Sequence, residues 1–128
     1  MARNTILLID DDPFQAYAHR TALERSFTAI ERAADASQAL ILADDPTFAD
    51  TLALIIVGLF MPGHSGPSFV SELSSRVPSV PILVIGRAGE SAADYPMENV
   101  RFLPRFSSTG DFVAGARALF SPGLSRVA

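Results

Sequence analysis

The stretch LALIIVGLFMPGHSG, residues 52–66, is the part of the sequence that says most about the fold. Residues 52–57 are all apolar, so a strand formed here is buried on both faces, which is typical of a central strand in a parallel sheet. Gly58 follows, and then comes a Met-Pro-Gly sequence that predicts a turn. Such a strand end usually presents a functional side chain, and Gly58 has none.

Four other short stretches predict the remaining strands of the sheet. They are TILLI (5–9), AIERAA (29–34), PILVI (81–85) and VRFLP (100–104). Helical patterns separate them, and this alternation indicates βαβ units with right-handed crossovers. The sequence therefore predicts a doubly wound, five-stranded parallel α/β fold with helices on both faces, and its functional residues are expected at the carboxyl ends of the strands.

Local signals place the first helix. Pro13 suits the first turn of a helix, where its missing N–H costs nothing. Phe14, Ala18 and Ala22 predict the buried face of this helix, with Leu23 as a further candidate.

Later helices carry similar signals. Asp35 is a good N-cap for the second helix, and Ser108 is a good N-cap for the last one. The segment RAGESAADYPM (87–97) is polar and contains a proline, so its helix is predicted to be short or irregular.

Composition limits the class of protein. The chain has 128 residues, of which 48% are hydrophobic, enough for the core of one domain. It has no cysteine, which excludes disulfides and thiolate metal sites. All ten basic residues are arginine, which excludes a lysine Schiff base and a P-loop. The net charge of −4 argues against nucleic-acid binding by the domain itself.

The ends of the sequence predict where the protein acts. The start MARNTILLIDDD lacks the features of a signal peptide, and no apolar run approaches the ~20 residues of a membrane span. We therefore expect a cytoplasmic protein without membrane attachment. Residues 1–122 form the predicted domain, and residues 123–128 form a short C-terminal tail that is expected to fray.

With these elements placed, the sequence resembles the receiver domains of bacterial two-component response regulators over nearly its whole length. The resemblance rests on ILLIDDDP at the first strand, MPGHSG after the third, PILVIG at the fourth and FLPRF at the fifth. It implies a signalling module rather than an enzyme. It also implies that Asp10 and Asp11 match the acidic pair that binds Mg²⁺ in the family, because adjacent carboxylates supply oxygen ligands for a hard cation.

Three working positions of the family are changed in this chain. The family's phosphoacceptor Asp lies four residues before the proline of Met-Pro-Gly, and this position is Gly58 here. Gly86 replaces a Ser or Thr after the fourth strand, and Arg105 replaces a Lys after the fifth. Phe102 matches the aromatic residue whose rotamer follows the state of the site. Since glycine has no nucleophile, the resemblance implies a receiver that is degenerate at its phosphorylation site.

The retained acids lie in a changed electrostatic environment. The site has lost one carboxylate and gained Arg87, where the family usually has a small residue. We expect Arg87 or Arg105 to pair with Asp10 or Asp11 and to balance their charge without a metal. No cofactor is then required, and Mg²⁺ binding is expected to be weak because a ligand has been lost.

The loop after the fifth strand also departs from the family. Arg105 is followed by Phe106, whereas the family has a Lys followed by Pro through a cis bond. A cis bond without proline costs ~3–4 kcal/mol, so we expect a trans Arg105–Phe106 bond. The changed path should alter the surface that the family uses for partner contacts and set it in one state.

An enzymatic alternative is less favoured. Asp10 and Asp12 have the spacing of the catalytic aspartates of haloacid-dehalogenase phosphatases, but the chain is too short for the other catalytic parts of those enzymes. His64 and Ser65 are interpreted as loop residues, because no second histidine or cysteine and no evident base lies near them in the sequence.

The sequence therefore predicts a pseudo-receiver of two-component or phosphorelay signalling that acts by phosphorylation-independent protein–protein interaction. Its partner would be a histidine kinase, a phosphotransfer protein or an output protein, and the domain is expected to be a monomer or a weak homodimer. The alternative is a sensor that binds a small anionic ligand in the pocket vacated at Gly58 and Gly86, with Arg87 and Arg105 as its clamp.

Overall fold

Seven strands occur in the residues that this computed structural model describes, namely 2–59, 66–105 and 107–124. They are β1 (Ala2–Arg3), β2 (Thr5–Asp10), β3 (Ala29–Ala33), β4 (Leu52–Gly58), β5 (Ile82–Ile85), β6 (Val100–Leu103) and β7 (Gly123–Leu124). Strands β2 to β6 form one parallel sheet in the order β3-β2-β4-β5-β6, whereas β1 and β7 pair antiparallel. The predicted five-stranded sheet is confirmed.

Five α-helices and a 3-10 helix connect the strands within these described ranges. They are α1 (Pro13–Glu24), α2 (Ala36–Asp44), α3 (Pro46–Ala49), α4 (Gly66–Arg76), the 3-10 helix (Ala92–Asp94) and α5 (Thr109–Leu119). The segment between β5 and β6 thus contains only a short 3-10 helix, in agreement with the prediction. None of the described helices is long and apolar enough to cross a membrane.

Side-chain caps fix the starts of α2 and α5, as predicted. The Asp35 side chain accepts a hydrogen bond from the Gln38 backbone N–H at 2.8 Å. Ser108 Oγ accepts one from the Asp111 backbone N–H at 3.0 Å. Each cap satisfies a backbone donor that has no partner inside the helix.

Alternate side chains of the strands pack on opposite faces of the sheet. Leu7 and Ile9 of β2 join α2 and α4 in one hydrophobic cluster. Ile6 and Leu8 join α1 and α5 in a second cluster on the other face. All seven residues of β4 are buried, which explains why its sequence is apolar without alternation. The two clusters hold the carboxyl ends of the strands from both sides.

The buried face of α1 differs from the predicted one. Ala16 and Leu23 are buried, whereas the Phe14 side chain is 85% exposed and Ala18 is exposed. Ala22 is half-buried against the second cluster. The prediction was wrong for Phe14 and Ala18 because the four-residue spacing from Phe14 through Ala18 to Ala22 marks a face that is not the one packed on the sheet. The face that packs on the sheet instead runs through a small residue, Ala16, and this rotation also turns His19 inward.

The two ends of the described chain meet beside the sheet. Arg3 of β1 pairs with Gly123 of β7, and the Ser121 backbone N–H donates to the Ala53 carbonyl of β4 at 3.2 Å. The first two residues of the predicted tail therefore belong to a strand, and residues 125–128 lie outside the described ranges.

Candidate functional site

The predicted site residues meet at the carboxyl edge of the parallel sheet. Asp10 and Gly58 end β2 and β4, and the two residues are Cα partners in the register of these strands. Gly86 follows β5, and its backbone N–H donates to a β6 carbonyl oxygen at 2.7 Å. Phe102 lies on β6, and Arg105 lies just past the end of that strand. The topology thus places together residues that are far apart in the sequence.

Asp10 is fully buried and is held by groups from three other residues. Its carboxylate Oδ2 lies 3.0 Å from His19 Nδ1, and its Oδ1 accepts a hydrogen bond from the Asp12 backbone N–H at 3.1 Å. Its main-chain carbonyl accepts two hydrogen bonds from the Arg32 guanidinium, at 3.2 and 3.0 Å. A carboxylate accepts hydrogen bonds, so the tautomer of His19 with its proton on Nδ1 donates to Asp10. Such partners are required because a buried carboxylate without them is costly.

His19 and Arg32 were not predicted from the sequence. His19 lies three residues after Ala16 and four before Leu23, and this helical spacing is the signal that could have placed it on the buried face. Arg32 lies on the edge strand β3, where it is the Cα partner of Leu8. No sequence motif indicates that its guanidinium reaches the end of β2.

The two other acids of the Asp-Asp-Asp run have different surroundings. Asp12 is the N-cap of α1, and its Oδ1 accepts a hydrogen bond from the Phe14 backbone N–H at 2.9 Å. Asp11 is half-buried. The structure describes His19 on the Asp10 carboxylate, and the predicted pairing of Arg87 or Arg105 with Asp10 or Asp11 stays a prediction.

The ring of Phe102 occupies the space beside Gly86. A Cβ atom added to Gly86 would overlap this ring, and the ring also stacks on Tyr95 with centroids 5.8 Å apart and an interplanar angle of 27°. A Ser or Thr at position 86 would therefore require the ring to move. The alternative hypothesis places a small anionic ligand in the space at Gly58 and Gly86. Beside Gly86, the Phe102 ring fills that space.

Tyr95 connects the loop after β5 with the start of α4. Its hydroxyl donates to Glu90 Oε1 at 2.9 Å, and the same oxygen accepts a hydrogen bond from the Arg87 backbone N–H at 2.9 Å. Burial, and then the hydrogen bond to Glu90, raise the pKa of the Tyr95 hydroxyl above its usual value. A Cβ on Gly66 would lie 2.9 Å from Glu90 Oε2, so this glycine lets the carboxylate lie close to the first residue of α4.

Some predicted positions lie outside the described residues. They are the Met-Pro-Gly turn with His64 and Ser65, and Phe106. The expected trans Arg105–Phe106 bond therefore stays a prediction.

Comparison with known proteins decides the family. The family model described as "Response regulator receiver domain" matches residues 6–99, well over half of the chain. The chain belongs to the receiver family. A search of curated protein sequences gave no significant match.

Solved receiver domains share the fold of this receiver. The receiver domain of the Francisella response regulator 1452 has a TM-score of 0.74 at 20% identity, and the alignment covers 91% of this chain and 95% of that one. The chemotaxis protein CheY4 of Vibrio cholerae has a TM-score of 0.72 at 20% identity, with 91% and 98% covered. The receiver domain of the hybrid histidine kinase CckA has a TM-score of 0.68 at 25% identity, with 90% and 97% covered.

The Mg²⁺ ion implied by the resemblance does not fit the residues that the structure describes. Gly58 offers no side-chain oxygen, and each carboxylate oxygen of the buried Asp10 already accepts one hydrogen bond from within the chain, which leaves one lone pair on each for a metal. Within the described ranges, no group of three or more His, Cys, Asp or Glu side chains is arranged to hold a metal.

Proposed function

We propose that this receiver is a pseudo-receiver that acts in the cytoplasm through protein–protein interaction and is not switched by phosphorylation. The observation that carries the proposal is Gly58, which is the Cα partner of Asp10 at the end of the central strand β4. Formation of an acyl phosphate needs a side-chain carboxylate at this point. Glycine supplies no such group.

The contact between Phe102 and Gly86 supports a site that does not switch between two states. In a switching receiver, the resemblance implies that the β6 aromatic changes rotamer with the state of the site. Here the Phe102 ring already fills the space where a side chain at position 86 would lie, and Tyr95 stacks behind it. A half-buried ring held on two sides favours one rotamer.

The groove between α1 and α5 is the surface that we propose for the partner. Its volume is about 460 Å³, and its lining includes the small residues Ala18, Ala22 and Gly110 together with Arg25 and Arg117. Small side chains allow a helix to approach closely, and guanidinium groups pair well with carboxylates. The described lining residues include no acid. The groove therefore suits a helix with an acidic face from a kinase, a phosphotransfer protein or an output protein.

The test combines a phosphodonor with a binding measurement. The purified domain is treated with acetyl phosphate and MgCl₂, and its intact mass and its affinity for a candidate kinase or phosphotransfer protein are measured before and after. We expect no mass gain and an unchanged affinity. High occupancy by a phosphoryl group on any residue, or an affinity change of about tenfold, equal to ~1.4 kcal/mol, contradicts the proposal.

Further variants test the phosphoacceptor position and the proposed binding surface independently of each other. Gly58→Asp should restore little phosphorylation, because Gly86 and Arg105 still lack the family's Ser or Thr and Lys. Ala18→Glu places a carboxylate in the groove and should weaken partner binding. Ile41→Glu is the control, because Ile41 is 70% exposed on α2, which packs against the other face of the sheet. Equal loss of binding in both variants would rule out the groove as the contact surface.

A further inference from the structure

The Asp10 carboxylate is buried, and its hydrogen-bonding partners come from the chain itself. The residue is 0% exposed, and moving a carboxylate out of water is unfavourable unless charged or hydrogen-bonding partners replace the water. The resemblance assigns this task to Mg²⁺. In the described residues, His19 and the Asp12 backbone N–H take one carboxylate oxygen each.

We infer that His19 takes the place of the divalent cation on Asp10 and makes the acidic pair of this receiver independent of metal. This inference concerns the metal site and does not depend on how the domain contacts its partner. It assigns a role to a residue that the sequence resemblance did not select.

The position of His19 is fixed on two sides. Its Nδ1 lies 3.0 Å from Asp10 Oδ2, and its ring packs against Phe112 with centroids 4.7 Å apart at an angle of 38°. Phe112 is itself buried in the cluster between α1, α5 and the sheet. A cation that binds Oδ2 either uses the second lone pair of this oxygen and lies beside the imidazole, or it displaces the imidazole from its packing on Phe112.

Among the described residues, the ligands that remain are too few for Mg²⁺. This ion prefers six oxygen ligands in near-octahedral geometry, commonly from one or two carboxylates, waters and phosphate oxygens. Gly58 has no side chain, so the family's three acidic positions provide at most the carboxylates of Asp10, which is held by His19 and Asp12, and Asp11. Arg32 also brings a guanidinium to the Asp10 carbonyl, and its positive charge opposes a dication at close range.

The test compares Mg²⁺ binding in the wild type and in His19→Leu. Leu fills much of the imidazole volume but cannot donate to Asp10. We expect His19→Leu to bind Mg²⁺ at least about tenfold more tightly than the wild type by calorimetry, equal to ~1.4 kcal/mol. Its melting temperature should rise in millimolar MgCl₂ relative to NaCl of equal ionic strength, because a ligand of the folded state stabilises it. The wild type should show no such rise.

Two further variants control the comparison. Tyr17→Leu removes an aromatic side chain from the same helix at a position that is 75% exposed, and it should behave like the wild type. Gly58→Asp combined with His19→Leu should bind Mg²⁺ more tightly than either single variant. Equal Mg²⁺ affinity in the wild type and in His19→Leu would overturn the inference.

A measurement that leaves His19 in place covers the case in which His19→Leu does not fold. The chain has two histidines, so His64→Ala leaves His19 as the sole imidazole for nuclear magnetic resonance. Its Nδ1–H signal should be unchanged by millimolar MgCl₂, and loss or displacement of the signal would overturn the inference. Neither experiment contains a phosphodonor, so a failure here is distinguishable from a failure of the proposed function.

Discussion

Tyr95 shows how one buried side chain couples the site region to pH. Its hydroxyl is removed from water and donates to Glu90, and both effects favour the neutral phenol in the folded state. The pKa of Tyr95 is therefore higher in the folded chain than in the unfolded one. Such a group contributes stability below its unfolded pKa of about 10, and this contribution is lost as the pH rises beyond that value.

We expect the free energy of unfolding of the wild type to fall above about pH 10, because the unfolded chain releases the Tyr95 proton before the folded chain does. The free energy of unfolding of Tyr95→Phe should fall less steeply over the same pH range. Tyr17→Phe leaves Tyr95 as the single tyrosine of the chain, so tyrosinate absorbance then reports its ionisation directly. Ionisation at the ordinary tyrosine pKa in the folded state would contradict the buried, hydrogen-bonded arrangement.

At the scale of elements, the junction between β5 and β6 depends on close packing of a glycine against a ring. The two strands are paired from Ile82 to Ile85, and the segment between them contains only a 3-10 helix. Phe102 of β6 turns its ring over Gly86, and Tyr95 of the connecting segment stacks on that ring. The junction is thus held by aromatic packing around a short 3-10 helix, in agreement with the predicted short or irregular helix.

Gly86→Ala should destabilise the domain by ~1–3 kcal/mol, because an added methyl group overpacks a filled space. Gly115→Ala is the matched control. Its new Cβ would lie 3.7 Å from Leu83 Cδ2, an ordinary contact, and alanine within a helix is favoured over glycine by ~0.5–1 kcal/mol. Chemical denaturation measures the stability change of both variants. The close proton contacts between the Phe102 and Tyr95 rings should disappear only in Gly86→Ala.

A second substitution tests the cause of the stability loss expected for Gly86→Ala. Phe102→Leu in the Gly86→Ala background shortens the side chain that the methyl group meets, so the two effects should couple in a double-mutant cycle. Strict additivity of the two free-energy changes would show that the ring and Gly86 do not interact.

At the scale of the whole molecule, the sheet separates two hydrophobic clusters of similar character. Leu7 and Leu8 are neighbours on β2, both are fully buried, and they belong to different clusters. The first cluster contains side chains of α2 and α4, and the second contains side chains of α1 and α5. Because helices cover both faces of the sheet, the stability of the fold depends on buried side chains on each face.

Leu7→Ala and Leu8→Ala should each lower the free energy of unfolding by ~2–5 kcal/mol, because each leaves a cavity in a closed core. Both variants should unfold in a single transition if the two clusters form one cooperative unit. Ile41→Ala, at a position that is 70% exposed, should change stability by less than ~0.5 kcal/mol. A large loss for one leucine and a small loss for its neighbour would mean that one face of the sheet is open.

The sequence by itself determined the strand runs, the capped helix starts and the missing side chain at Gly58. These are local properties: an apolar run, a cap residue or an absent atom acts on its near neighbours and needs no knowledge of the rest of the chain. The tertiary structure alone decided the phase of α1, and with it the contact of His19 with Asp10. It also decided that Arg32 reaches the Asp10 carbonyl and that the Phe102 ring fills the space at Gly86. The physical reason is that these contacts join residues far apart in the chain, and the rotation of a short helix follows from the sum of many small packing energies rather than from its own hydrophobic pattern.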